Sequence, residues 1–335
     1  MIWRELLKNI IMHKDLKYYC SLFGKLRRDF KNGGAPHKPI LLISLIQAFQ
    51  QNLYNTNQIT ILPELVGLFK TNWASLVKTN HTCLFTLPFY HMSTEPFWNL
   101  VPNPGCEIWV KSKSSMRSFA NLTTAIKHAT IDIELLNLLQ NKDESNVLLY
   151  FLLDKYFPET KSSFNNSGDN YIRDIVIQIV EEPFEQYQKR IVKIREELDS
   201  EQYEEEIYIR SNVFKREIPK IYNNTCCISG MRVDVVDNVS MIDACHIIPF
   251  SESFNDTISN GIALCPNLHR AFDRGLISID KNYIVRLNNK FSEPNRTAYN
   301  IKQFEGTQIF LPDDLRFYPS IDSLNYHMNK WGFNK

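Results

Sequence analysis

The segment from residue 240 to residue 273 constrains the fold of this chain more than any other. Residues 240–249 predict a β-strand that ends at a proline, and residues 250–259 predict an irregular loop. Residues 260–265 predict a second short strand, and residues 266–273 predict the beginning of a helix with a proline in its first turn. A strand-loop-strand-helix unit of this size places His246 opposite the helix.

Two histidines and an asparagine lie at a characteristic spacing in this unit. The two stretches that contain them are HIIP at 246–249 and NGIALCPNLHRAFDRGLIS at 260–278. These stretches resemble the His-Asn-His (HNH) nuclease superfamily with its ββα-metal fold, in the branch found in modification-dependent restriction endonucleases. The resemblance implies a metal-dependent DNA endonuclease whose catalytic residues are His246, Asn260 and His269.

The chemistry of phosphodiester hydrolysis explains why these residue types are needed. A base must accept a proton from water, and imidazole, with a reference pKa of about 6.5, suits His246 to that role. A divalent cation must offset the charge on the phosphate, and its ligands must stand on a rigid element, which favours His269 on the predicted helix. Asn260 can bridge backbone groups across the loop and thereby orient His246.

The ligand set of the expected cation stays open. Asp273 lies four residues after His269 on the same predicted helix face, and Asp243 precedes His246 on the strand. In many members of the superfamily an aspartate ligand directly precedes the first histidine, whereas this chain has Cys245, a poor partner for Mg²⁺. We expect Mg²⁺ or Mn²⁺, with His269, Asp273 and Asp243 as candidate ligands.

The cysteines do not predict a structural zinc site. Some relatives hold such an ion with two Cys-x-x-Cys pairs. Here the residue three positions after Cys227 is Gly230, and the residue three positions after Cys265 is Leu268. Both second cysteines of the pairs are therefore missing. We therefore expect buried apolar cysteines.

A second resemblance covers the N-terminal half. The stretches GAPHKPILL at 34–42, LPFYH at 87–91 and Phe97-Trp98 resemble the sulfur-binding domain of phosphorothioate-dependent restriction enzymes, in which a basic loop precedes a buried helix. The resemblance implies two groups of contact residues. They are Leu87, Pro88 and His91 against the sulfur, and His37 and Lys38 beside the phosphate. The family often has tyrosine where Leu87 stands, which changes the shape of the expected pocket.

Sulfur in place of a phosphate oxygen is large, polarizable and poorly hydrated, so a small apolar pocket rimmed with cations can distinguish the two. The alternative is that Pro36 and Pro39 only shape the entrance of a helix and that Trp98 is a core residue. Arg117, with Lys111 and Lys113, is a candidate for reaching a DNA groove, and a solvated loop is an equal alternative for these three.

The predicted fold class is α+β in three parts. Residues 1–160 are a mainly helical, sulfur-binding-like DNA recognition domain, residues 161–210 are a linker and bridging helix, and residues 211–335 are the ββα-metal nuclease domain. The individual elements are an amphipathic segment at 2–30, a buried helix at 40–49, a helix at 62–77, an aromatic-rich loop at 82–90, a strand at 95–101, one or two helices at 135–157 and a polar helical stretch at 171–209.

Charge and cysteine usage limit the class of protein. The net charge of the 335 residues is +1, so attraction to DNA must come from local patches, such as the nine basic and three acidic residues of 1–38. Seven irregularly spaced cysteines, with no signal peptide and no apolar run that could span a membrane, predict a soluble cytoplasmic protein. The expected partner is phosphorothioated double-stranded DNA, bound by a homodimer because cutting both strands needs two sites.

Two alternatives stay open. The first is an HNH nuclease that reads a methylated base, which needs an aromatic stacking pocket that Phe89, Tyr90 and Trp98 could form. The second is a catalytically inactive DNA-binding regulator, which Cys245 in the ligand position favours.

Overall fold

The computed structural model describes residues 14–165, 170–233, 240–289, 291–293 and 300–333. The chain divides into two compact units. The first unit contains Met1–Ile172 and Leu198–Ile209, and the second contains Arg173–Glu197 and Arg210–Lys335. The predicted linker at 161–210 is therefore shared between the two units. Residues 2–13 of the predicted amphipathic segment at 2–30 lie outside the described residues.

The first unit is helical with one small sheet. Its helices are α1 (Leu16–Phe23), α2 (His37–Gln50), α3 (Pro63–Leu76), α4 (Thr86–His91), α5 (Phe119–Ala125), α6 (Ile133–Gln140) and α7 (Lys142–Tyr156). Its strands are β1 (Gln58–Ile59), β2 (Trp98–Pro102) and β3 (Ile126–Ile131), which form an antiparallel sheet in the order β1-β3-β2.

Helix α2 is the centre of this unit. Every residue from Lys38 to Phe49 is buried, and α2 packs against α3 and α7. The predictions of a buried helix at 40–49 and a helix at 62–77 are confirmed. The predicted helical region at 135–157 is two helices, because the side chain of Asn141 accepts hydrogen bonds from the backbone of Asp143 and Glu144 and begins α7.

The predicted loop at 82–90 is wrong in its second half, where the structure has α4. Glu205 explains the difference, since its Oε1 accepts hydrogen bonds from the backbone N–H groups of Phe85 and Thr86 at 2.8 and 3.2 Å. These donors at the start of a helix have no partner within the helix itself. The cap therefore comes from a residue about 120 positions away, which a local sequence pattern does not contain.

The predicted helical stretch at 171–209 is three helices. They are α8 (Asn170–Glu181), α9 (Phe184–Glu197) and α10 (Ser200–Ile221). Pro183 lies between α8 and α9, where it cannot donate a backbone hydrogen bond. Asp199 accepts a hydrogen bond from the backbone of Gln202 at 2.9 Å and caps α10.

The second unit contains the strand-loop-strand-helix segment. Its further elements are β4 (Asp243–His246), α11 (Phe250–Ser253), β5 (Gly261–Leu264), α12 (Pro266–Asp273), β6 (Ile277–Ile279), β7 (Val285–Leu287) and α13 (Ile321–Trp331). Strands β4 and β5 are antiparallel, with His246 opposite Gly261, and β6 pairs with β7. The predicted order of strand, strand and helix is confirmed, and the predicted loop between the strands contains the short helix α11. The chain is thus a mixture of helices and small sheets.

Within the described part of the chain, no helix combines the length and the apolar composition needed to cross a bilayer.

Candidate functional site

His246 lies at the end of β4 with its imidazole held on two sides. Its ring is stacked on that of Phe214, with centroids 3.9 Å apart and an interplanar angle of 8°. Its Nε2 lies 2.7 Å from Oδ1 of Asp256. The side chain of His246 is 19% exposed, whereas that of Asp256 is fully buried. The imidazole therefore reaches solvent while its orientation is fixed from within the protein.

Asn260 joins the loop to the end of the first strand. Its Oδ1 accepts a hydrogen bond from the backbone of Ile248, and its Nδ2 donates to the carbonyl oxygens of Ile248 and Asn255, each at 2.9 Å. The side chain is buried and uses both donors and one acceptor on backbone groups. Asn260 therefore holds the backbone that follows His246.

Gly261 permits the close approach of α10 to this strand. A Cβ atom at this position would lie 2.2 Å from Cδ1 of Ile218 and 2.8 Å from Cζ of Phe214. Both distances are shorter than normal contacts between carbon atoms. The absence of a side chain at Gly261 thus allows Phe214 to reach the ring of His246.

His269 lies on α12 between two carboxylates. Its Nδ1 is 3.1 Å from Oδ2 of Asp243, and its Nε2 is 3.4 Å from Oδ2 of Asp273. Sγ of Cys245 is 3.9 Å from Oδ1 of Asp273. The structure thus brings the three sequence-predicted ligands together and adds the thiol of Cys245 to the group.

The chemistry of this group fits a divalent cation. Ligand atoms of Cys245, His269 and Asp273 all lie within 4.8 Å of one another. Imidazole and carboxylate are ordinary ligands of borderline and hard divalent ions, whereas a thiol suits softer ions. Burial raises the pKa of the Cys245 thiol well above its ordinary value, which disfavours the thiolate. Asp243, on the other ring nitrogen of His269, has the position of a carboxylate that orients a ligating imidazole.

One cavity of about 310 Å³ joins the candidate base to the candidate ligands, since His246, His269 and Asp273 all line it. Helix α13 contributes further lining residues, which are His327, Lys330 and Trp331. The sequence of α13 contains no motif that indicates a place in this cavity.

His327 is a packed residue of the cavity wall. Its ring is stacked on Phe272 at a centroid distance of 3.7 Å, and its Nδ1 lies 2.8 Å from Oγ of Ser278. Burial lowers the pKa of His327 to about 4, so the imidazole is neutral at neutral pH. His327 therefore shapes the cavity without adding charge to it.

The first unit contains a second cavity, of about 510 Å³, that is lined by all five residues predicted to contact sulfur and phosphate. The lining residues include His37, Lys38, Leu87, Pro88 and His91, together with Arg27, Arg28 and His81. Arg117 is not among them, and its guanidinium lies 3.3 Å from a carboxylate oxygen of Glu201. Arg27 and Arg28 belong to the basic patch of 1–38, which was the only sequence signal for them.

Three of the six basic side chains that line this cavity carry no free positive charge. The ammonium of Lys38 is buried, is paired with Glu95 and donates to Oγ1 of Thr94 at 2.7 Å. Burial lowers the pKa of His37 to about 4 and also lowers the pKa of His91. These imidazoles are therefore neutral hydrogen-bonding groups at neutral pH.

Positive charge at the rim comes from two arginines. Arg27 is exposed. The guanidinium of Arg28 donates to the carbonyl of Ala35 at 3.2 Å and lies 4.5 Å from the ring centre of Tyr156, which fixes its position. The cavity thus combines an apolar wall with two arginines at its edge, of which Arg28 is held by contacts with the protein.

The aromatic side chains near this cavity belong to the core. Phe89 is fully buried and Trp98 is 1% exposed. The hydroxyl of Tyr90 donates to the carbonyl of Val110 at 2.6 Å. Among the described residues, the lining of the cavity does not include any of these three aromatic side chains.

The cysteine that faces Cys265 is one residue earlier in the chain than the Cys227 considered from the sequence. Cys226, not Cys227, is associated with Cys265 through Ser229, whose backbone N–H donates to Sγ of Cys226 at 3.5 Å. The residue three positions after Cys226 is Ser229, whose hydroxyl lies 4.0 Å from Sγ of Cys265. Cys227 is fully buried and its backbone N–H donates to Ala263.

Residues 226–280 match the family described as HNH endonuclease. This range includes both histidines, Asn260 and the cation group, so the second unit contains an HNH endonuclease domain. Among solved structures, a chain titled "Modification dependent TagI restriction endonuclease" aligns at 21% identity with a TM-score of 0.26, over 35% of this chain and 36% of that chain. The alignment spans about a third of that chain's length. No protein with a curated description matches the chain.

Proposed function

We propose that this protein is a DNA endonuclease that hydrolyses phosphodiester bonds at the cavity of the second unit. One observation carries the proposal. His246, His269 and Asp273 line the same cavity, and all three lie in the part of the chain that matches the HNH endonuclease family. A base and a cation group in one cavity are the two requirements of metal-assisted phosphodiester hydrolysis.

Each side chain has a role in this proposal. His246 accepts a proton from the attacking water, and Asn260 holds the backbone that positions His246. His269 and Asp273 hold a divalent cation, for which Mg²⁺ or Mn²⁺ is the expectation, and Asp243 orients the ring of His269. The bound cation supplies positive charge that stabilises the phosphate oxygens and the leaving group.

We also propose that the first unit recognises phosphorothioated DNA. The cavity of this unit has the features that a thiophosphate requires. Leu87 and Pro88 form an apolar wall for the sulfur, and Arg27 and Arg28 supply positive charge for the phosphate. The neutral imidazoles of His37 and His91 add polar groups without the hydration of a full charge. The ion pair of Lys38 with Glu95 gives Lys38 a positioning role in place of direct phosphate contact.

Recognition of a methylated base is the weaker alternative. A flipped base needs aromatic faces for stacking, and the burial of Phe89 and Trp98 removes two of the three candidates. We also propose, from the sequence, that the protein acts as a homodimer in the cytoplasm.

The decisive experiment is digestion of two matched plasmids, one phosphorothioated and one unmodified, by the purified protein with Mg²⁺, with Mn²⁺ or with a chelator. We expect cation-dependent cleavage of the modified plasmid and no cleavage by the His246→Ala variant. If no substrate, including methylated plasmid, were cleaved in a cation-dependent way, the nuclease proposal would be overturned. The alternative of a catalytically inactive DNA-binding regulator would then be favoured. Equal cleavage of modified and unmodified plasmids would remove the sulfur specificity while keeping the nuclease.

A further inference from the structure

Asp256 is a buried carboxylate in the loop between β4 and β5. It is fully buried, with 0% of its surface exposed. Its Oδ1 lies 2.7 Å from Nε2 of His246, and its Oδ2 has no hydrogen-bond partner among the described residues. An ionised carboxylate out of water is costly unless a partner compensates it. The imidazole of His246 is the contact that compensates this one.

The neighbouring residue shows what a purely structural side chain does in this loop. Oδ1 of Asn255 accepts hydrogen bonds from the backbone N–H and from the hydroxyl of Thr257, at 2.9 and 2.7 Å. Such local bonds form turns. Within the described chain, the carboxylate of Asp256 has no comparable bond to the backbone and reaches only the ring of His246.

We propose that Asp256 is a positioning residue that sets the tautomer and the orientation of His246. Because a carboxylate accepts hydrogen bonds, Nε2 of His246 must carry the proton, and Nδ1 is then left with the free electron pair that accepts a proton from water. Stacking on Phe214 restricts rotation of the ring about this hydrogen bond. This inference rests on the proposed nuclease function for its catalytic meaning, although the tautomer itself does not depend on it.

The test compares Asp256→Asn with the wild type in steady-state cleavage of DNA. Replacing the carboxylate that orients a catalytic imidazole by an amide lowers kcat by up to about 10⁴-fold in other hydrolases. We expect Asp256→Asn to lower kcat by roughly 10²- to 10⁴-fold, with KM and DNA affinity within about twofold of the wild type. A variant that is folded and cleaves at the wild-type rate would overturn the inference.

A matched control separates this role from loss of a structural carboxylate. Asp280 in the same unit accepts hydrogen bonds from Arg286 at 2.7 and 2.9 Å and from the backbone of Ile284. Asp280→Asn makes the same chemical change away from the cavity. We expect it to lower the denaturation midpoint and to leave kcat within about twofold.

A spectroscopic measurement tests the inference without cleavage, cation or DNA. In protein labelled with ¹⁵N at histidine, we expect the ring nitrogens of wild-type His246 to show a proton on Nε2 and none on Nδ1. We expect Asp256→Asn to shift the ring towards a mixture of tautomers. A wild-type ring with its proton on Nδ1 would overturn the inference even if the enzyme cleaves DNA. The expected tautomer in a protein that does not cleave DNA would support the inference and overturn the proposed function.

Discussion

The ring of Phe214 lies flat against the imidazole of His246, with centroids 3.9 Å apart. Phe214 is fully buried in α10, so His246, at the end of a short strand, is supported by a helix that begins more than forty residues earlier in the chain. A flat aromatic support and the hydrogen bond to Asp256 together fix both the plane and the rotation of the ring.

Phe214→Leu should lower cleavage more than it lowers DNA affinity. Leucine keeps the site apolar but removes the flat surface, and the ring of His246 gains freedom that must be lost again in the transition state. We expect kcat to fall about tenfold and stability to fall by about 1–3 kcal/mol. Cleavage rates and urea denaturation measure the two effects. Unchanged kcat with lower stability would reduce Phe214 to a packing residue.

Gly261→Ala should destabilise the second unit. Its new methyl group would meet Cδ1 of Ile218 at 2.2 Å, so α10 or β5 must shift. Overpacking of this kind costs about 1–3 kcal/mol. Ile218→Val deletes the atom in conflict and should restore part of the loss in the double variant. Additive losses in a double-mutant cycle of urea denaturation would contradict the steric explanation.

Removal of the predicted ligands should weaken cation binding by amounts that depend on whether the residue binds the cation or only orients a ligand. We expect His269→Ala and Asp273→Ala to weaken Mn²⁺ binding by at least about 100-fold, and Asp243→Asn to weaken it by about 10-fold, because a residue that only orients a ligand contributes less. Cys245→Ser is the control and should change the affinity by less than about twofold. Isothermal titration calorimetry measures all four. A large loss with Cys245→Ser would make the thiol a ligand and indicate a softer ion.

Arg27 should contribute charge and Leu87 should contribute sulfur preference. We expect Arg27→Ala to weaken binding of modified and unmodified duplexes alike and to reduce the slope of affinity against salt concentration by about one. Leu87→Asn should lower the preference for phosphorothioate with an unchanged salt slope. Lys142→Ala, on the exposed surface of α7, serves as the control for Arg27. If Leu87→Asn weakened the binding of modified and unmodified duplexes by the same factor, the result would argue against an apolar contact between Leu87 and the sulfur.

Glu205 should make the stability of the first unit depend on pH. Burial raises the pKa of this carboxyl from 4.5 to about 7, because the charged form loses its hydration. The folded state therefore holds the proton more tightly than the unfolded state, and the resulting stabilisation is fully present below pH 4.5 and is lost as pH rises through about 7. Between pH 5 and pH 8 the loss is on the order of 3 kcal/mol.

Glu205→Gln keeps an acceptor for the backbone of Phe85 and Thr86 but cannot ionise. We expect the variant to be more stable than the wild type at pH 8 and to lose this part of the pH dependence. Urea denaturation of both proteins at several pH values measures the difference. Parallel curves for the two proteins would show that Glu205 does not titrate in this range.

Local patterns in the sequence were sufficient for the elements that depend on near neighbours. The apolar run at 40–49 predicted a buried helix, and α2 is that helix. The strand, strand and helix around His246 and His269 were predicted in the right order, because alternation, glycine and proline act within a few residues. The same patterns did not predict α4, whose first turn depends on Glu205.

The sequence by itself determined most of the elements that depend on near neighbours and the candidate residues for the chemistry, since helix and strand preferences and motif spacing are local properties. Only the tertiary structure decided that Asp256 and Phe214 hold the ring of His246, that Arg27 and Arg28 share a cavity with Pro88, and that α13 lines the cavity of the second unit. These contacts depend on how whole elements pack. Packing is selected by the burial of the complete core, and no short stretch of residues contains that information.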